Sequence, residues 1–136
     1  MKLIDEKLLN DVSELANNSP RQRMNYNFHE NESDPFNRLL NAMNPETQFP
    51  VHRHMNPDKD ESFLVLRGSL IVYLFDDEGN VVLEQEINPK KGVYGMDIPA
   101  HVWHTFTVLE SGTVVYEAKL GPYIPVTEEN IASLNT

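Results

Sequence analysis

The sequence predicts a mainly β domain, an antiparallel sandwich or small barrel preceded by one helix, and three observations carry that prediction. From Val51 onward the segments SFLVLRG, SLIVYLF, VVLEQEI, VYGMDIP, VWHTFTVL and TVVYEAKL are short and rich in Val, Ile, Leu and aromatics, which is strand composition. The stretches between them, RGS, DDEGN, NPKKG, PAH and ESG, are turn chemistry, so the strands are joined by short loops and are expected to pair as hairpins. A length of 136 residues suffices for one buried core and is short for two, so six or more strands close around a single interior.

Taken in order, the first element is a helix over Asp5–Ala16. Leu8, Leu9, Val12, Leu15 and Ala16 recur at helical spacing, and Asn17, Asn18, Ser19 and Pro20 stop it. Residues 21–30 suit a short strand, with Tyr26 and Phe28 alternating against Asn25, Asn27 and His29. After the turn-like NESDP, Phe36–Met43 fits helix or strand equally by pattern. Beyond the six strands, the tail TEENIASLNT has a helix start at Thr127 followed by glutamates. No repeat, linker or low-complexity tract divides the chain. The expected organisation is residues 1–20 as a helix packing on the barrel, 21–125 as the barrel, and 126–136 as a tail with a short helix.

Composition narrows the function classes. Eleven Lys and Arg against 21 Asp and Glu give a net charge of −10, the wrong sign for a protein that binds by neutralising nucleic-acid phosphates. No apolar run approaches the roughly 20 residues of a membrane-spanning helix. The acid-rich start MKLIDEKLLNDVSEL lacks the features of a secretory signal, and a cytoplasmic protein without membrane contact is expected. The chain has no cysteine, which removes disulfides, thiolate metal sites and cysteine nucleophiles together.

The five histidines are not scattered. His52 and His54 alternate in VHRHM, so on a strand both side chains project to one face. Glu61 opens the next strand, and a hairpin through MNPDKD brings it beside them. His101 and His104 sit in PAHVWHTF, where His104, Phe106 and Val108 share a face. His29 has no companion at ligand spacing and reads as an ordinary hydrogen-bonded residue. An HxH pair, a hairpin-distant glutamate and a later histidine on an apolar strand together point to a metal site. Imidazole and carboxylate donors suit Zn, Fe, Mn, Ni or Co over Ca or Mg, and nothing here selects among them. Phe63, Val65, Phe106, Val108 and Tyr94 are expected to line the interior, and Trp103 to point away from the metal.

These residues carry a resemblance. HRHMNPDKDESFLVLRG resembles the first cupin motif, HxH followed by Glu, six intervening residues and Gly; GVYGMDIPAHVWHTF resembles the second, with Pro99 and His104 in place. The gap from His54 to Glu61 is six residues where three or four are usual, and His101 stands where Gly is usual. The resemblance implies a cupin-type double-stranded β-helix holding one divalent transition metal through His52, His54, Glu61 and His104, with His101 a turn residue. SPRQRMNYNFHENESDPFNRLLNAMNP and YEAKLGPYIP extend the likeness to the WbuC family of cupin fold metalloproteins, some of them associated with O-antigen or polysaccharide gene clusters. It implies a strand at Phe36–Met43 and makes Arg21, Arg23, Asn25, Lys119 and Tyr123 candidates for holding a small anionic or sugar-like ligand. A metal-dependent enzyme on a small polar metabolite, a non-catalytic binding or sensing module, and a structural metal site are the three readings, and a homodimer is expected.

Overall fold

The computed structural model describes residues 1–132. Helix α1, Glu6–Asn17, begins where the Asp5 carboxylate accepts a hydrogen bond from the Leu8 backbone N–H, satisfying one of the free donors of the first turn. Eight strands follow: β1 (Arg23–Asn27), β2 (Phe36–Met43), β3 (Glu61–Arg67), β4 (Leu70–Phe75), β5 (Val81–Ile87), β6 (Gly95–Ile98), β7 (Trp103–Val108) and β8 (Thr113–Leu120). Phe36–Met43 is therefore a strand. All strand pairs are antiparallel, in a five-stranded sheet ordered β1-β2-β8-β3-β6 and a three-stranded sheet ordered β5-β4-β7. Helix, two sheets and a single interior make this the mainly β, cupin-type jelly roll that the sequence predicts.

Strand alternation sorts the side chains between the faces. On the inner face of the larger sheet, Met43, Phe63, Val65, Ile98 and Val115 meet Leu70, Val72 and Val108 from the smaller one. Each such side chain, fully buried, contributes about 1.5–3 kcal/mol of transfer free energy. On the opposite face Leu40, Ala42 and Val114 pack under Leu9, Val12 and Ala16 of α1. Val12 of the helix stripe is thus spent on its own sheet, whereas Leu15 is 53% exposed. Gly68 closes the β3–β4 turn at φ +85, where a Cβ would lie 2.2 Å from Thr113 Oγ1; the position needs glycine for both conformation and space.

Two local expectations are corrected. His52 and His54 do not lie on a regular strand: His52 makes only isolated bridges to His104 and Ile131 within the connection between β2 and β3. The rings still turn to one place, because backbone bonds from His52 N to His104 O and from His104 N to His52 O lock this segment onto β7. Tyr94 is 59% exposed and lines no interior, since it precedes β6 at the outer side of the sheet edge. The tail carries a 3₁₀ turn at Glu128–Asn130; residues 133–136 lie outside the described residues. No described helix is long and apolar enough to cross a membrane.

Candidate metal centre

Four elements meet at one end of the interior. The connection to β3 supplies His52 and His54, β3 begins with Glu61, β7 supplies His104, and β8 brings Glu117 and Lys119. The β3–β8 register places Glu61, Glu117 and Lys119 together: Glu61 stands opposite Lys119 and Phe63 opposite Glu117, so these side chains share the inner face. The interior is consequently apolar at one end and polar at the other.

One ring nitrogen from each of His52, His54 and His104 lies within 4.8 Å of the others, the spacing of donors around a single ion. The ring orientations are fixed from behind. His52 Nδ1 is 3.0 Å from Pro50 O and His104 Nδ1 is 2.9 Å from Val102 O. A carbonyl can only accept, so in the neutral rings each Nδ1 carries the proton and each Nε2 keeps its lone pair. Nε2 of His54 and of His104 are both buried and, among the described residues, have no hydrogen-bond partner. A buried nitrogen left unmatched costs free energy that a metal ion would recover. His54 Nε2 does lie 3.0 Å from Glu61 Oε2, but without hydrogen-bond alignment. The carboxylate also approaches His104 Nε2 at 3.8 Å and Lys119 Nζ at 3.9 Å. Three imidazoles that converge on one point, two of them with Nε2 lone pairs left free, fit a divalent transition metal.

The protonation tendencies agree. Burial, with the charge of His104 second, pushes the His52 imidazole down to about 4, and burial likewise lowers His104. Both rings are held in the neutral form that ligates. Burial on its own would raise the Glu61 carboxyl, but His54, Lys119 and His104 outweigh it and keep it well below the carboxylate range, as the anion.

A cavity of about 190 Å³ opens beside His52, His54 and Glu61. Of the five residues singled out for ligand contact, Arg23 and Lys119 line it and Arg21, Asn25 and Tyr123 do not. Arg23 is held by its guanidinium, 4.9 Å above the Phe49 ring. His101 stays apart: it is a turn residue at φ +75 whose Nε2 lies 2.8 Å from Asp58 on the surface. Trp103 faces outward, with Arg53 4.2 Å from its ring centre and its indole N–H donated to Asp77.

Two polar side chains of the lining escaped the sequence reading. Asn41 is 7% exposed with its Oδ1 unpartnered, and the Glu117 carboxyl is pushed up to about 7 by burial and then by the Glu61 charge. The signal for Glu117 was present: it sits two residues before Lys119 on one strand, hence on the same face. For Asn41 only the period of β2, once recognised as a strand, would have found it.

Comparison with solved structures places the same fold elsewhere. The capsular polysaccharide assembling protein CapF from Staphylococcus aureus is 20% identical over 74% of this chain, with a TM-score of 0.59. KdgF from Halomonas sp. is 15% identical over 75% of this chain and 82% of its own, at 0.56. The cupin domain of Schizosaccharomyces pombe Cnp3 is 13% identical over 73% of this chain and 64% of its own, also at 0.56. The chain spans only 27% of the length of CapF. At these identities the likeness establishes the cupin fold. No curated protein matches the sequence. A family profile matches residues 4–87, well over half the chain, and the chain belongs to that family, described as Domain of unknown function (DUF6016).

Proposed function

We propose that the chain is a metal-dependent enzyme acting on a small polar metabolite of the sugar type, with His52, His54, Glu61 and His104 as ligands of one divalent transition metal. The observation that carries this reading is the pair of buried Nε2 atoms on His54 and His104, without a hydrogen-bond partner among the described residues, in a cluster whose His52, His54 and Glu61 line an open cavity. A structural metal site is sealed, whereas a working one keeps ligand positions facing a cavity. When bound, the metal would supply a Lewis acid that polarises an oxygen of the ligand. The chain's own residues do the rest. Pro50 O and Val102 O orient two of the imidazoles, Glu61 adds negative charge that offsets the ion, and Arg23 and Lys119 draw an anionic ligand into the cavity. Isomerisation, epimerisation and oxygen insertion are the reactions such a site serves.

The motif resemblance to the WbuC family, and the capsular-polysaccharide role named for CapF, support a place in surface polysaccharide synthesis. A cytoplasmic homodimer without nucleic-acid partners, built from a helix (1–20), a barrel (21–125) and a tail (126–136), belongs to the same reading. A non-catalytic metal-dependent binding module is the alternative. The partly buried Glu117 in the cavity favours the enzyme, because a titratable group beside the ligand is what turnover requires and what binding alone does not.

The test is elemental analysis of protein purified without an affinity tag, for the wild type and for His52→Ala/His54→Ala. About one metal per wild-type chain and none in a variant that still folds is the expected result. Tight retention of one metal by the double variant refutes the ligand set. Turnover of candidate sugars by the loaded wild type separates the enzyme from the binding module.

A further inference from the structure

The part of the cavity lining outside the histidines has a polarity of its own. Arg23 and Lys119 offer only donors and positive charge. Asn41 offers a buried Oδ1 with no partner, and Glu117 beside it a carboxyl group. The wall thus asks at once for an acceptor anion and for a hydroxyl donor. Charge sets the sign of the ligand. The two cations offset Glu61 and whatever charge Glu117 carries, so a divalent metal leaves the lining with a formal surplus of at least two positive charges. Volume suits a small ligand: about 190 Å³ lies below the roughly 300–1,000 Å³ of sites that take drug-sized ligands.

We propose that this pocket recognises a small hydroxylated carboxylate, its carboxylate held by Arg23 and Lys119 and its hydroxyls donated to Asn41 Oδ1 and to Glu117. The inference rests on the reading of the centre as an open metal site and names the ligand class that site takes. Phe49 keeps the arginine fork from collapsing onto the acids, since the guanidinium stacks on its ring. Asn41 is the specificity determinant. Its Oδ1 is already paying for burial without a partner, so a ligand hydroxyl gains there what a hydrogen atom cannot.

The experiment is calorimetric titration of the metal-loaded protein with D-glycerate, propionate, glycerol and inorganic phosphate. Glycerate should bind at least about tenfold more tightly than propionate, which lacks the hydroxyls, and than glycerol, which lacks the anion. Lys119→Gln should weaken glycerate by about tenfold, and Asn41→Ala should erase the margin over propionate while leaving metal content unchanged. Melting temperatures of both variants show that they are folded, and the wild-type ranking needs neither. Equal binding of glycerate and propionate, equal binding of glycerate and glycerol, phosphate binding as tightly as glycerate, or no binding of glycerate at all overturns the inference. Metal content is measured on the same samples, so a wild type that holds no metal refutes the centre, whereas a loaded protein with the wrong ranking refutes only the ligand class.

Discussion

Stripped of metal, the protein carries two opposed proton linkages in the same few ångströms, and they can be separated by mutation. The His52 imidazole is held at about 4 in the folded chain by burial and then by His104, against about 6.5 when unfolded. Between those values the unfolded state binds more protons, so stability falls as pH drops through the window. At pH 5 the unfolded ring is about 97% protonated and the folded ring about 9%, which costs about 2 kcal/mol relative to pH 7. Burial shifts His104 in the same direction. Glu117 works the other way. Its folded carboxyl is raised to about 7 by burial and the Glu61 charge, above an unfolded value of about 4.3. The folded state then binds more protons between those values, and acidification from pH 7 to 5 adds about 2 kcal/mol. Glu61, lowered in the folded chain, loses its contribution only below its unfolded value and stays outside this window.

The metal-free wild type should therefore show a shallow dependence between pH 7 and 5, tilted toward acid lability by His104. Glu117→Gln should expose the histidine linkage and lose about 2 kcal/mol more than the wild type over that interval, and His52→Gln should gain about as much. Urea unfolding in the presence of a chelator, followed by the fluorescence of Trp103, the single tryptophan of the chain, gives the free energies directly. If both variants keep the wild-type slope, neither group is perturbed as the geometry requires and the electrostatic account of the centre fails.

Two further substitutions test the surrounding frame. His101 holds φ +75 and its ion pair with Asp58 is more than half exposed, so the pair adds little while the backbone strain costs about 1 kcal/mol; His101→Gly should keep full metal content and melt at an equal or higher temperature, and loss of metal would make His101 a ligand. Gly68→Ala should destabilise by more than about 2 kcal/mol, because φ is +85 and the new methyl would sit 2.8 Å from Thr113 Cα as well as on its hydroxyl; a chemical denaturation midpoint unchanged from the wild type would contradict that packing.

The hairpin architecture was legible because each strand carries its own period and each turn its own chemistry, as in SLIVYLF between RGS and DDEGN. The histidine cluster was legible because ligand chemistry is concentrated in few residue types. What sequence alone could not give is how the chain reaches the site. The alternation argument put His52 and His54 on a strand, yet a single bridge to β7 achieves the same convergence, because two backbone bonds to His104 fix the segment without a ladder. Helix or strand at Phe36–Met43 is undecidable by period, since FNRLLNAM places apolar residues at spacings compatible with both; only pairing with β1 and β8 settles it. Tyr94 was misplaced because an aromatic next to a strand reads as core, and nothing local says that it precedes the sheet edge.

The polar end of the interior also bears on why the fold keeps it. Asn37 and Asn41 are both buried on β2 with unpartnered Oδ1 atoms, and His54 and His104 add two unpartnered Nε2 atoms. Each such group costs about 1–3 kcal/mol, a large total against a marginal domain stability of about 5–15 kcal/mol. Apolar residues of similar volume at these positions would extend the cluster of Phe63, Val65 and Val115 and make a more stable barrel. The other end of the same sheet shows that the fold can do this. A polar half retained at that cost is explained by an occupant that satisfies it, and the two halves of the inner face divide the work: one holds the sheets together, and the other trades stability for a site whose donors and acceptors are matched only when metal and ligand arrive.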